Sequence, residues 1–202
     1  MRLVRVFLSA ALVYSTGLNF ADPLRGVPAA SASTFIELTV AELVTASASV
    51  VCGTPEEGVS VWEDSEGGWG RRIVSYTRVH IDRVLDGKAS GDVWVRTLGG
   101  EVGDLGQHVD GEAVLVPGQA ALMFLSSRSD GTSSVVGMGQ GHYPLETPAG
   151  QPMRVSPPRA LGRLLGKVGS RTTSIPASMD LPGRTVEEVA QVVASLRHAH
   201  AP

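Results

Sequence analysis

The segment from Arg72 to Leu85 is the strongest constraint on how this chain can fold. Ile73, Ser75, Thr77, Val79 and Ile81 alternate with Val74, Tyr76, Arg78, His80 and Asp82. A period of two is the signature of an extended strand. The run is long for a strand, and both of its faces carry apolar side chains, as in a strand that curves from one side of a barrel to the other. Asp86-Gly87 then supplies turn chemistry, and Asp92 to Leu98, with Val93, Trp94 and Val95 at its centre, returns. The pair reads as a hairpin with its loop near Gly87 to Gly91. Trp94, at mid-strand, is expected in the core.

Other elements follow from shorter signals. Thr39-Val40-Ala41-Glu42 fits a capping box, which predicts a short helix from Val40 to about Ser47 with Val40, Leu43 and Val44 on one face. Ala48 to Gly53 is an apolar run that reads as a buried strand ending at Thr54-Pro55. Glu56 to Gly70 reads as a polar, glycine-rich excursion with room for a short strand at Val59, Val61 and Trp62. Ala120 to Leu125 is expected to be a central strand. Asp130-Gly131 leads into Ser134 to Gly137, and a further strand is expected from Gly141 to Leu145. Pro148 to Pro182 is rich in Pro, Gly and Ser, with a weak helical patch at Arg159 to Lys167. Thr185-Val186-Glu187-Glu188 is a second capping box. It opens a helix with an apolar stripe of Val186, Val189, Ala190, Val193 and Leu196. Acidic residues in its first turn and Arg197 and His198 in its last suit the helix dipole.

The first residues read differently. Arg2 and Arg5 precede the uncharged apolar run Val6 to Tyr14. That run has signal-peptide length and falls far short of the ~20 residues that span a bilayer. Cleavage is expected after Ala32 (Ala30-Ser31-Ala32) or after Ala21, and the onset of patterning favours a mature start near Ser33; an uncleaved anchor is the alternative. The remaining chain of about 170 residues can support one domain. Past residue 32 it carries 14 basic and 19 acidic side chains, a net charge of −5, and no basic cluster. Nucleic acid is therefore not an expected partner. The 24 Gly and 12 Pro favour many turns over long helices. The single cysteine, Cys52, can form no internal disulfide and reads as a small core residue.

Candidate chemistry is sparse. His108, Asp110 and Glu112 would share one face of an extended segment and offer an imidazole and two carboxylates to a metal, with Glu101 and Asp104 nearby. The glycines Gly106 and Gly111 argue for a broken loop with solvated side chains instead. Gly137 to His142 superficially resembles a phosphate-cradling loop, but Tyr143-Pro144 disfavours the helix such a loop needs, and a bulge or tight turn is expected. His80 and Asp82 share a strand face, with Ser75 or Ser126 as imaginable partners, and there is no nucleophile elbow. Trp62 and Trp69 are the aromatics expected on an exposed binding surface. No cofactor is implied.

Several motifs do form a pattern. Ser49-x-Val51-x-Gly53, Tyr76-Thr77-Arg78-Val79 leading to Val84-Leu85-Asp86-Gly87, and Val95 to Gly100 resemble a group of uncharacterised exported bacterial proteins. Gly106-Gln107, Gly111-Glu112, Gly118, Phe124-Leu125 and Gln140-Gly141 continue it, over residues 36 to 146. The order of elements is also similar to the barrel of the tissue inhibitor of metalloproteinases and netrin-like domains. Those inhibitors chelate a target's zinc through an N-terminal Cys-x-Cys. Cys52 is alone and internal, so that mechanism does not transfer.

The expected fold is mainly β: an OB-like β-barrel with a short N-terminal helix and an amphipathic C-terminal helix. Residues 1–32 are the signal peptide and spacer, and 33–202 a single β-rich domain. Within it, 36–146 form the barrel core, 147–184 a Pro/Gly-rich connection and 185–199 the C-terminal helix. The expected function is non-catalytic, a binding or interaction module of the periplasm, cell envelope or secreted fraction. A protein or glycan partner would meet loops 55–71 and 99–112, and no segment of the mature chain would span a membrane. The alternatives are a hydrolase using His108, Asp110 and Glu112 or His80 and Asp82, and a structural envelope component.

Overall fold

The computed structural model describes residues 34–65, 70–161, 163–165 and 175–199. The segment read as an export signal lies outside them, as does Trp69. In chain order the elements are β1 (Thr34–Ile36), α1 (Val40–Ala46), β2 (Ser49–Asp64), β3 (Arg71–Gly87), β4 (Asp92–Leu98), β5 (Gly100–Val102) and β6 (Leu105–Gln107). Then come β7 (Ala121–Ser127), β8 (Ser133–Val135), a 3-10 turn (Met138–Gly141), β9 (His142–Glu146), β10 (Arg154–Val155), β11 (Arg163–Leu165), α2 (Ala177–Asp180) and α3 (Val186–Ala199).

The fold is mainly β. Seven strands form one sheet in the order β10-β9-β7-β2-β3-β4-β8, and β8 pairs again with β7. Strands β7, β2, β3, β4 and β8 therefore make a closed ring. Every pairing in the ring is antiparallel except β4 with β8.

The 72–98 hairpin forms with the expected strands, but its neighbour is longer than the sequence suggests. β2 does not stop at Thr54-Pro55; it continues to Asp64, so most of the expected excursion is strand. Pro55 is tolerated because the pairing of β2 with β7 ends at Gly53 and Ala121, so no strand on that side needs its missing N–H. The register with β3 shifts between Pro55 and Gly58, a bulge that bends the strand. A Cβ on Gly58 would stand 2.6 Å from the Tyr76 carbonyl oxygen, so the close approach of the two backbones requires glycine.

Burial on both faces explains why Ala121–Leu125 is continuously apolar. Ala121, Met123 and Leu125 join Val51, Val79, Val95 and Val135 inside the ring. Leu122 and Phe124 point the other way, to a layer built from α1, α2 and α3. Cys52 belongs to that outer layer, and burial pushes its thiol pKa up to about 11, which keeps it an inert core residue. Both helices are capped as expected. Glu42 N–H donates to Thr39 Oγ1 at 3.3 Å while Thr39 N–H donates to Glu42 Oε2 at 2.9 Å. Thr185 and Glu188 repeat the exchange at the start of α3. At its other end Arg197 donates to Asp86 Oδ2 at 2.7 Å and to the Ser47 carbonyl at 2.8 Å, tying the helix to the β2–β3 hairpin.

Other expectations need correcting. Trp94 is 46% exposed, because alternation sends Val95 into the ring and Trp94 outward, opposite Arg78. Arg163–Leu165, inside the expected helical patch, is a strand parallel to β1. The glycine-rich stretch after Leu98 is not all loop, since β5 and β6 pair as a small hairpin.

Tyr143 is fully buried edge-on to Phe124, with ring centroids 6.3 Å apart. Its hydroxyl has no hydrogen-bond partner among the described residues. Tyr143→Phe removes an unsatisfied polar atom, so urea unfolding is expected to show about 1 kcal/mol of added stability. A loss of that size would show that the hydroxyl is bonded.

Candidate functional site

Small polar side chains interrupt the apolar lining of the ring at one end. On β3, Ser75 and Thr77 share the face of Ile73 and Val79. The register sets Ser60 of β2 opposite Ser75, and Ser75 opposite Thr97 of β4. A row of hydroxyls thus crosses three strands. Ser75 Oγ donates to the Gly99 carbonyl at 2.8 Å, which makes Ser60 the donor in the 2.8 Å contact between the two serines. Thr77 and Thr97 are only 8% and 7% exposed, and neither hydroxyl has a hydrogen-bond partner among the described residues. Both line a cavity of about 340 Å³.

The wall opposite the strands is the segment 107–117. Gln107 fixes one end, its Oε1 accepting from Ile73 N–H at 2.8 Å. Glu112 fixes the middle: Oε2 accepts from Leu98 N–H at 3.0 Å and Oε1 from Ala113 N–H at 2.9 Å. Burial raises the Glu112 pKa against the opposing pull of those two N–H groups. Its carboxylate works as a clamp between this segment and the end of β4.

That clamp dismantles the expected metal site. The segment holding His108, Asp110 and Glu112 is not a strand, so alternation does not apply to it. The His108 side chain is 84% exposed and meets Asp110 at 3.2 Å, while Glu112 turns inward to backbone N–H groups. Among the described residues no three His, Cys, Asp or Glu side chains gather as a metal would require. His80 is paired with Asp92 at 2.9 Å on the outer surface, and Asp82 accepts from Thr54 at 2.8 Å. Ser75 lies inside the ring, away from both. Trp62 is half-buried, with the Arg71 guanidinium 5.6 Å from its ring centroid.

On the opposite face of β3 and β4 lies an ion-pair network that the sequence did not advertise. Arg96, with its side chain 5% exposed, donates to Glu63 through Nη2 at 2.6 Å and Nε at 3.2 Å. Tyr76 donates its hydroxyl to the same carboxylate. The Arg96 bond is the main reason the Glu63 pKa is lowered. Desolvation works against the Arg96 charge, but the Glu63 contacts outweigh it and raise the Arg96 pKa.

The chain matches no protein-family model, no curated protein and no solved structure. No helix among the described residues is long and apolar enough to cross a membrane.

Proposed function

We propose that this chain is an exported, non-catalytic binding module on an OB-like barrel, and that the hydroxyl-lined cavity takes a small, hydroxyl-rich ligand of saccharide type. The pairing order of the ring supports the OB-like reading: five strands, one parallel contact, and closure between first and fourth. Such folds bind oligosaccharides and oligonucleotides on the face of their second and third strands. β3 and β4 hold those places here, and both line the cavity. The acidic balance of the chain disfavours the nucleotide option.

The observation that carries the reading is the pair of unpartnered threonine hydroxyls, Thr77 and Thr97, facing a cavity. Hydroxyls that face a cavity without a protein partner are placed to donate to and accept from a polar ligand there. The hydrolase alternative lacks support, since Glu112 turns away from the exposed His108–Asp110 pair to backbone N–H groups and Asp82 is engaged by Thr54. Ligand-observed NMR on the full chain with neutral mono- and disaccharides tests the proposal. At least one is expected to saturate with Kd near or below roughly 1 mM, and the isosteric Thr97→Val should weaken it by about tenfold. If none saturates, or Thr97→Val binds as the parent does, the reading is wrong.

A further inference from the structure

A second cavity, of about 260 Å³, lies beyond the Glu112 clamp, sharing only Leu98 and Glu112 with the first. Three of its lining residues are arginines that arrive from separate places: Arg72 on β3, Arg96 on β4 and Arg128 after β7. Ser134 of β8, set opposite Arg96 by the parallel register, adds a hydroxyl. Met138 completes the wall with φ of 59°, which makes it the one non-glycine residue with positive φ among the described residues. Backbone held in that region costs of order 1 kcal/mol and gathers at ligand sites.

We propose that this second cavity binds a small ligand through an oxyanion, either a free phosphate or a carboxylate. Guanidinium groups recognise both through paired N–H donors. Arg96 is already held rigid, because Glu63 occupies its Nε and Nη2 and leaves Nη1 outside that fork. A pre-set guanidinium spends little entropy on a ligand. The carboxylates nearby are engaged: Glu63 with Arg96, Asp130 with Arg128 at 3.3 Å, and Glu112 with two backbone N–H groups. The proposal does not rest on the saccharide reading, since its arginines, Ser134 and Met138 line only the second cavity.

Calorimetric titration of the full chain tests it with inorganic phosphate, D-glucuronate and, as neutral control, glucose. At least one anion is expected to saturate with Kd near or below roughly 1 mM and to weaken in high salt. The stronger of the two identifies the source of the oxyanion. Arg72→Gln and Arg128→Gln should each weaken it by about tenfold, with Arg96 left intact because it also holds Glu63. Failure of both anions to saturate overturns the proposal, as does equal binding by parent and Arg128→Gln. If Arg72→Gln does not fold, amide shifts decide: anion-induced movement at Ser134 and Met138 supports the site, and none there sinks it.

Discussion

Replacing Arg96 with Ala is expected to lower the unfolding free energy by about 3 kcal/mol, because it removes a buried guanidinium and leaves the half-buried Glu63 carboxylate without its partner. Breaking one side of a buried pair costs more than the pair itself contributes, since the surviving charge loses its partner but not its burial. Glu63 is 26% exposed, which places the effect at the lower end of that range. The double variant Arg96→Met with Glu63→Gln removes both charges and leaves Tyr76 an acceptor, so it should recover most of the loss. Urea unfolding of parent, single and double variants gives the answer. A single-variant loss under about 0.5 kcal/mol would mean that the network carries no structural weight. The network also has an acid signature. Its lowered Glu63 pKa gives stability that is present above the ordinary carboxylate range and is lost as the pH falls through the folded value.

Between pH 6.5 and 4 His142 adds a slope of its own. His142 opens β9 and is 5% exposed; burial, with a smaller push from the Arg159 charge, lowers its pKa from 6.5 to about 4. In that window the unfolded chain holds a proton on this residue that the folded chain refuses. Stability therefore rises with pH, is complete above 6.5 and declines as pH drops toward 4. A gap of that width corresponds to about 3 kcal/mol. Equilibrium unfolding at closely spaced pH values, for the parent and for His142→Gln, isolates the contribution as the difference between two slopes. NMR titration of the ring gives an independent check, and a folded-state midpoint above 6 would contradict the assignment.

Local signals in the chain proved readable where one short segment decides its own structure. Thr39 with Glu42 and Thr185 with Glu188 announce helix starts because a capping box is a contact between residues three apart. The alternation of Ile73 to Ile81 likewise places Ser75 and Thr77 on an inward face before any partner strand is known. What that pattern cannot supply is register. Only the pairing of β2, β3 and β4 turns Ser60, Ser75 and Thr97 into one row. Arg72, Arg96 and Arg128 share no local spacing at all, and only the folded sheet brings them to one cavity. Pro55 and the Gly58 bulge misled for the opposite reason: they look like a strand's end, and are a bend within one. Glu112 looked like a ligand because spacing says nothing of backbone donors supplied by Leu98 from another strand.

Pro55 has a further consequence, for encounters between molecules. Past Gly53 the outer border of β2 is no longer covered by β7, and a bare border of this sort invites a stranger's backbone to zip onto it. Here the invitation is withdrawn at its first rung. Proline offers no N–H, its carbonyl is occupied by Gly118 N–H at 2.8 Å, and the kink that follows throws the next rungs out of step. The irregularity that hides β2 in the sequence also guards the folded chain against polymerising through its open flank.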